Sequence, residues 1–418
     1  MRISAAVLHE QGLPRPYRDS RPFEVTEVEL DPPGPGEVLV RIAAAGLCHS
    51  DLSAVAGARA RILPAVGGHE GAGEVLEVGP GVDNVSPDDH VVLVFVAACG
   101  RCRDCVGGRP NLCQSSWASR AAGTLVTGAR RLHRPAGAGP GPGALHHWSG
   151  ISCFADHAVV AAGSVVRIPR DVPLLDAASF GCAVITGVGA VVNTAAVGVG
   201  ASVAIVGLGG VGLSALLGAV LSGANPIIAI DLQPAKLALA RSLGATHALP
   251  GDAADLTEQV HDLTGGGVDH AFDMAGGPAT AELAYGLLRR GGALVVAALA
   301  DPSVRLSIPI AAAVSEEKRI LGSYMGSANP VRDIGRFVAL YRAGRLPVDR
   351  LRSATIDLAA INEGFDRLAD GLAVRRSSPS APEPKRQQAR PMPYRMVRHG
   401  TRPAERRAGG RGEPLRDQ

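Results

Sequence analysis

The sequence predicts an α/β protein with two folded domains: a mostly antiparallel, barrel-like β domain, then a doubly wound parallel sheet. Three observations predict it. Residues 1–183 hold short apolar runs separated by turn sequences such as P-P-G-P-G and V-G-P-G-V. From residue 184 a strand, turn and helix rhythm takes over, opening on G-L-G-G-V-G. A chain of 418 residues, 46% hydrophobic with 53 glycines, can bury two sizeable cores.

In chain order, Glu37–Ala44 and Gly73–Val78 read as strands of the first domain, and the Pro-rich stretch Gly137–Gly143 as a surface loop. Between them runs C-G-R-C-R-D-C-V-G-G-R-P-N-L-C, carrying Cys99, Cys102, Cys105 and Cys113. Two residues separate each of the first three, so one short loop turns three thiolates onto a common centre. The seven-residue gap lets the fourth close a tetrahedron, which is the spacing of an all-sulfur structural zinc site. Disulfides or buried free thiols are the alternatives. Cys48 in A-G-L-C-H-S-D and His69 in G-G-H-E-G-A-G-E are a thiolate and an imidazole, ligands zinc favours when a position stays open for substrate. Their twenty intervening residues specify no geometry, and a buried small thiol and a hydrogen-bonded histidine remain the alternative.

No charged residue lies between Asp176 and Asp231, but Gly, Asn193, Asn225 and Pro226 interrupt the run too often for membrane helices. It reads instead as a buried strand, Ala201–Val206, a glycine turn and a helix, Leu213–Leu221, followed by a strand, Pro226–Ile230. In the turn formed by Gly207, Gly209, Gly210 and Gly212, the first glycine permits a sharp bend. The second lets a diphosphate approach the backbone, and the last lets helix and strand pack closely. Asp231, nineteen residues after Gly212, is placed to accept hydrogen bonds from an adenosine ribose. A carboxylate repels a 2′-phosphate and Leu232–Gln233–Pro234 supplies no Arg, so NAD is preferred over NADP; a glycine-rich turn with a capping Asp is the alternative. Further units follow: helix Lys236–Leu243 closed by Gly244, strand Val268–Met274, helix Ala279–Arg290 and strand Ala293–Leu299.

Net charge is only +3, which gives the body no nucleic-acid signal. Twelve Lys or Arg against four Asp or Glu fall in residues 375–418, a basic, Arg-, Pro-, Ser- and Gly-rich tail expected to be disordered, whose partners the sequence leaves open. Seven cysteines, an odd number, and Arg2, His9 and Glu10 within the first sixteen residues point to a reducing cytoplasm rather than secretion.

Taken together, G-H-E-G-A-G-E-V-L-E-V-G, the four-cysteine loop and G-L-G-G-V-G resemble the zinc-dependent medium-chain alcohol dehydrogenases, in order, over about residues 5–375. The resemblance implies a GroES-like catalytic domain (1–183 and 327–374, with a structural zinc lobe near 95–115), a Rossmann NAD-binding domain (184–326) and an active site between them. It implies a catalytic zinc held by Cys48, His69 and Cys182, with Glu70 beside the metal as a transient ligand and Asp51 orienting the ligand His. Ser50 then hydrogen-bonds the substrate oxygen, His49 lies near the cofactor diphosphate, Phe95 lines the substrate pocket, Thr186 and Lys236 touch the nicotinamide and adenosine sides, and Arg375 binds diphosphate.

The implied activity is NAD-linked interconversion of a primary, aryl or secondary alcohol with its aldehyde or ketone, with two zinc ions per chain. Formaldehyde oxidation as a thiol adduct is a variant that Arg59, Arg61, Arg130 and Arg131 would favour, and a non-catalytic NAD-binding protein with structural zinc alone is the competing class. Relatives form homodimers or homotetramers through their nucleotide domains, and Ala293–Leu299 is the expected edge. Two departures stand out: Ser53 occupies the place of a relay His, and R-S-S-P-S replaces a final apolar strand, which is expected to be missing.

Overall fold

Arg2–Leu8 pairs antiparallel with Phe23–Leu30 along its whole length. In this computed structural model, which describes residues 1–135, 143–352 and 354–371 and the backbone of 375–377, these two strands join Ala65–Val66, Leu132–His133 and Ala144–His147 in a closed five-stranded barrel. Ile3, Ala5, Val28 and Leu30 are buried inside it.

A second, mostly antiparallel sheet runs in the order Val165–Ile168, His90–Leu93, Gly71–Val78, Glu37–Gly46, Arg375–Ser377 and Thr355–Ile356, with His157–Ala161 also paired to Glu37–Gly46. Glu37–Gly46 is therefore a central strand, and its near-continuous apolar run V-L-V-R-I-A-A-A is buried at every position but Arg41 and Ala43. The helix Ile361–Ala369 packs back on this region. Phe365 stacks on Phe23 with centroids 5.4 Å apart, the Asn362 side chain exchanges two hydrogen bonds with the Phe23 backbone, and Asp366 accepts from the Tyr17 and Arg18 amides.

Six strands form the third sheet, all parallel, in the order His247–Pro250, Ile227–Asp231, Val203–Val206, Val268–Asp273, Leu288–Val296, Arg319–Gly322. Numbered along the chain this is 3-2-1-4-5-6, the doubly wound order whose switch point lies at the C-terminal end of Val203–Val206, where the glycine turn begins. The α/β class and the pairing of an antiparallel with a parallel sheet are as the sequence predicts.

Four expectations need correction. The first helix of the parallel sheet starts at Gly210 rather than Leu213, because the end of the glycine turn is itself helical. The helix expected over Ala279–Arg290 spans Pro278–Gly286; Leu287 caps it and Leu288 starts the next strand, both buried in the core, while Arg289 pairs with Asp269. Ala293–Leu299 is no edge, since Leu288–Val296 has a neighbour on both sides and the outer strand is Arg319–Gly322. A short strand does form at Arg375–Ser377, paired with Ala44–Gly46 and Thr355–Ile356, where none was expected. Backbone pairing needs no apolar side chains.

Among the described residues no single helix is long and apolar enough to cross a membrane. The uncharged run from Asp176 is core instead: Val184, Ile185, Val188, Val203, Ile205, Ala215 and Leu216 pack in one cluster. The loop expected at Gly137–Gly143 and the tail beyond Ser377 lie outside the described residues, apart from Gly143 itself.

Candidate active site

Three elements meet at one point. Cys48 leaves the end of the central strand and precedes the helix His49–Val55, His69 lies in the turn before Gly71–Val78, and Cys182 precedes the helix Ala183–Gly189. Their Sγ, imidazole nitrogen and Sγ atoms all lie within 4.8 Å of one another. The orientation of His69 is fixed from behind: Nδ1 is 2.7 Å from Asp51 Oδ1, which turns Nε2 toward Cys182 Sγ (3.4 Å) and Ser50 Oγ (3.2 Å). Asp51 is wholly buried, accepting also from Trp148 Nε1–H at 2.8 Å and from the Cys48 amide at 3.3 Å. Ser50 donates to Cys48 Sγ at 3.4 Å. Glu70 is buried beside the set, in space that exists because residue 46 is Gly; a methyl group there would overlap Glu70 Oε1.

Two sulfurs and one nitrogen, with no fourth ligand grouped with them among the described residues, are the donors of a zinc site with an open position, so the residues fit that metal. Without it, Cys48 is held well below the usual thiol range, first by its hydrogen bond with Cys182, whose own thiol is correspondingly pushed up. Burial disfavours the charged His69 imidazole, but the Asp51 carboxylate and Cys48 outweigh it and raise its pKa.

The open side of this set has an aromatic wall. Phe95 meets the His69 ring edge-on at 5.4 Å, and Tyr324 meets Phe95 at 6.0 Å. Arg120 reaches over both rings and hydrogen-bonds the Tyr324 hydroxyl, while Arg61 lies 4.9 Å above the Trp148 ring. Sequence reasoning missed Trp148, Arg120 and Tyr324. Trp148 and Arg120 sit in segments with no motif, and the one available signal was that Trp148 is one of only two tryptophans in the chain. Of the four arginines expected at the pocket mouth, Arg131 is committed to the buried Glu37, 2.7 Å away.

Cys99, Cys102, Cys105 and Cys113 also bring their sulfurs within 4.8 Å of one another, room for a tetrahedron of sulfurs about 2.3 Å from a central zinc. None of the seven cysteines is joined in a disulfide. Burial opposes ionisation of Cys99, but the Arg101 and Cys102 amides and the Ser115 hydroxyl bring it down to about 6; burial and then Cys102 push Cys105 up to about 12. The lobe is tied to the pocket: Asn111 Nδ2 donates to the Tyr324 carbonyl at 3.0 Å, and the helix Gln114–Ala122, which starts beside Cys113, carries Arg120.

At the parallel sheet, Gly207 has φ +91°, and a methyl group on Gly212 would overlap the Gly207 carbonyl oxygen. Gly209 faces open space, and Gly210 begins the helix whose N-terminus is free for an anion. Asp231 closes the turn by accepting from the Leu208 and Gln233 amides (2.7 and 2.9 Å), with Lys236 Nζ 3.6 Å from its carboxylate. Thr186 is buried in the helix after Cys182; His49 is exposed at the start of its own helix. Arg375 contributes backbone to the second sheet, and its side chain lies outside the described residues.

Residues 34–170 match the family model described as alcohol dehydrogenase GroES-like domain, and residues 210–340 the one described as zinc-binding dehydrogenase. The chain is 40% identical over 380 residues to putative alcohol dehydrogenase D of Mycobacterium tuberculosis, covering 90% of this chain and 99% of that protein. It is 34% identical over 385 residues to an S-(hydroxymethyl)glutathione dehydrogenase of Paracoccus denitrificans, covering 90% and 99%. Its fold is similar to that of the benzyl alcohol dehydrogenase of Acinetobacter calcoaceticus, with a TM-score of 0.82 and 30% identity over 90% of this chain and 99% of that one.

Proposed function

Since this chain belongs to the zinc-dependent medium-chain alcohol dehydrogenase family and is an oxidoreductase of that type, we propose that it uses NAD to interconvert a primary, aryl or secondary alcohol and its aldehyde or ketone. The observation that carries this reading is the Cys48, His69 and Cys182 set with its fourth position open beside Ser50 and Phe95. When bound, zinc supplies Lewis acidity toward the substrate oxygen and NAD accepts the hydride.

The remaining work falls to side chains. Asp51 holds the His69 ring so that Nε2 faces the metal position, and Ser50, within hydrogen-bond range of two ligands, takes the proton released by the substrate hydroxyl. His49 or water carries it outward, because Ser53 donates to the His49 carbonyl and offers no imidazole. Phe95 orients the substrate's apolar part, and Glu70 is a transient ligand. Asp231 and Lys236 bind the adenosine ribose, Gly207, Gly209, Gly210 and Gly212 the diphosphate with Arg375, and Thr186 the nicotinamide side.

On the same reading the chain holds two zincs, the second in the four-cysteine lobe. It divides into catalytic residues 1–183 and 327–374, nucleotide-binding residues 184–326 and a basic tail from 375. A reduced cytoplasm suits seven cysteines with no disulfide among them. The unpaired edge at Arg319–Gly322, with Ile310, Val314 and Ile320 exposed around it, supports a homodimer or homotetramer. The likeness to an S-(hydroxymethyl)glutathione dehydrogenase keeps formaldehyde–thiol adducts as a second substrate class. Turnover of primary, aryl and secondary alcohols and of formaldehyde with and without thiol, by zinc-loaded protein with NAD and with NADP, tests the reading; no NADH from any of them would overturn it.

A further inference from the structure

Two guanidiniums lie against the aromatic residues around the metal set, with no carboxylate of their own among the described residues. Arg61 is half-buried, its Nε is enclosed with no hydrogen-bond partner, and it has no ion pair among the described residues. Its Cζ rests 4.9 Å above Trp148, whose indole N–H is committed to Asp51. Arg120 comes from the helix after the four-cysteine loop. Its Cζ lies 5.9 Å from Phe95, 5.6 Å from Tyr324 and 5.2 Å from Trp117, its hydrogen bonds go to the Tyr324 hydroxyl and the Ser116 carbonyl, and it too lacks an acid among the described residues. Arg59, Arg120 and Asp51 all lie within electrostatic reach of Arg61. Asp51 reaches Arg61 only at a distance, because its oxygens are bonded to His69, Trp148 and the Cys48 amide and to neither guanidinium.

Arg61 Nε is an enclosed cationic donor with no acceptor among the described residues, which destabilises a fold unless something anionic completes it. Each guanidinium carbon lies about 5 Å from an indole centroid, 4.9 Å for Arg61 and 5.2 Å for Arg120, and the N–H groups of Arg61 together with Arg120 Nη2 are left to grip a carboxylate. We propose that the substrate is an alcohol or aldehyde carrying a carboxylate remote from the reacting carbon, and that Arg61 and Arg120 hold that carboxylate at the mouth of the Phe95 pocket. The proposal rests on the alcohol dehydrogenase reading above and names its substrate class.

The test compares 4-(hydroxymethyl)benzoate with benzyl alcohol, and formaldehyde with and without glutathione, using the zinc-loaded enzyme and NAD. The expected result is a kcat/KM for the carboxylate at least about tenfold above that of benzyl alcohol, a preference that Arg61→Gln and Arg120→Gln each cut by about tenfold and Arg61→Lys cuts less. A larger gain from glutathione than from the benzoate assigns the carboxylate to a peptide thiol. A second readout needs no turnover. Both tryptophans of the chain lie under these guanidiniums, so without NAD, 4-(hydroxymethyl)benzoate shifts their emission and 4-(hydroxymethyl)benzamide does not. Equal kcat/KM for charged and neutral alcohols, unmoved by either variant, overturns the proposal while leaving the enzyme reading intact. An emission shift with no turnover of any alcohol would overturn the enzyme reading instead.

Discussion

Asp51→Asn is the sharpest probe of the metal site. The native carboxylate faces only donors: the His69 Nδ1–H at 2.7 Å, the Trp148 Nε1–H at 2.8 Å and the Cys48 amide at 3.3 Å. An asparagine of the same shape must point its NH2 at one of them. With the amide oxygen toward His69 and Trp148, nitrogen meets the Cys48 amide; flipped, it meets two N–H groups at once. The site is wholly buried, so water cannot repair either clash. Partners that orient metal ligands are worth about 10–100-fold in metal affinity or activity, or about 1.4–2.7 kcal/mol, in line with the ~1.5–3 kcal/mol of a hydrogen bond to a charged group. Zinc competition against a chromophoric chelator should therefore show one site weakened by about 10–100-fold and the four-cysteine site unmoved, with kcat/KM falling in step. An Asp51→Asn protein binding both metals within about twofold of the wild type would refute the claim that this carboxylate sets the His69 geometry.

Three further outcomes are expected. Asp231→Ser removes the charge that repels a 2′-phosphate and should raise the NADP-to-NAD ratio of kcat/KM by at least about tenfold, read from steady-state rates with each cofactor. Burial, then the nearby Arg131, pushes the His147 pKa from 6.5 to about 3. As pH falls through 6.5 the unfolded chain therefore takes up the proton first. The wild type should lose about 1.4 kcal/mol per pH unit between these values from this group, a component absent from urea titrations of His147→Gln. Cys105→Ser should release the lobe metal and lower the calorimetric melting midpoint by several degrees while the trio keeps its zinc, because a structural metal contributes directly to folding.

Sequence made the parallel sheet and its turn legible because each role there is local: a glycine that must bend, a glycine that must not carry a methyl group, an acid nineteen residues on. Spacing alone also gave the four-cysteine lobe. Cys48, His69 and Cys182 were different, since they sit on three distant segments and only resemblance to a family joined them. Trp148, Arg120 and Tyr324 were invisible for the same reason, and no motif marked them. The helix end at Gly286 was misread because Leu287–Arg290 continues a helical pattern that the sheet overrides by burying Leu287 and Leu288. Which strand forms the sheet edge depends on pairing order, which no single strand's sequence records.

On the proposed reading, an open three-ligand metal site, distinct from the closed four-cysteine site, carries out the oxidation. Zinc per chain and NADH formation, measured on one preparation of the wild type and of Cys48→Ala, test it most directly. Two zincs and turnover are expected for the wild type, with one zinc and no turnover for the variant. A Cys48→Ala protein that still binds two zincs, or that still forms NADH from an alcohol the wild type oxidises, would contradict it.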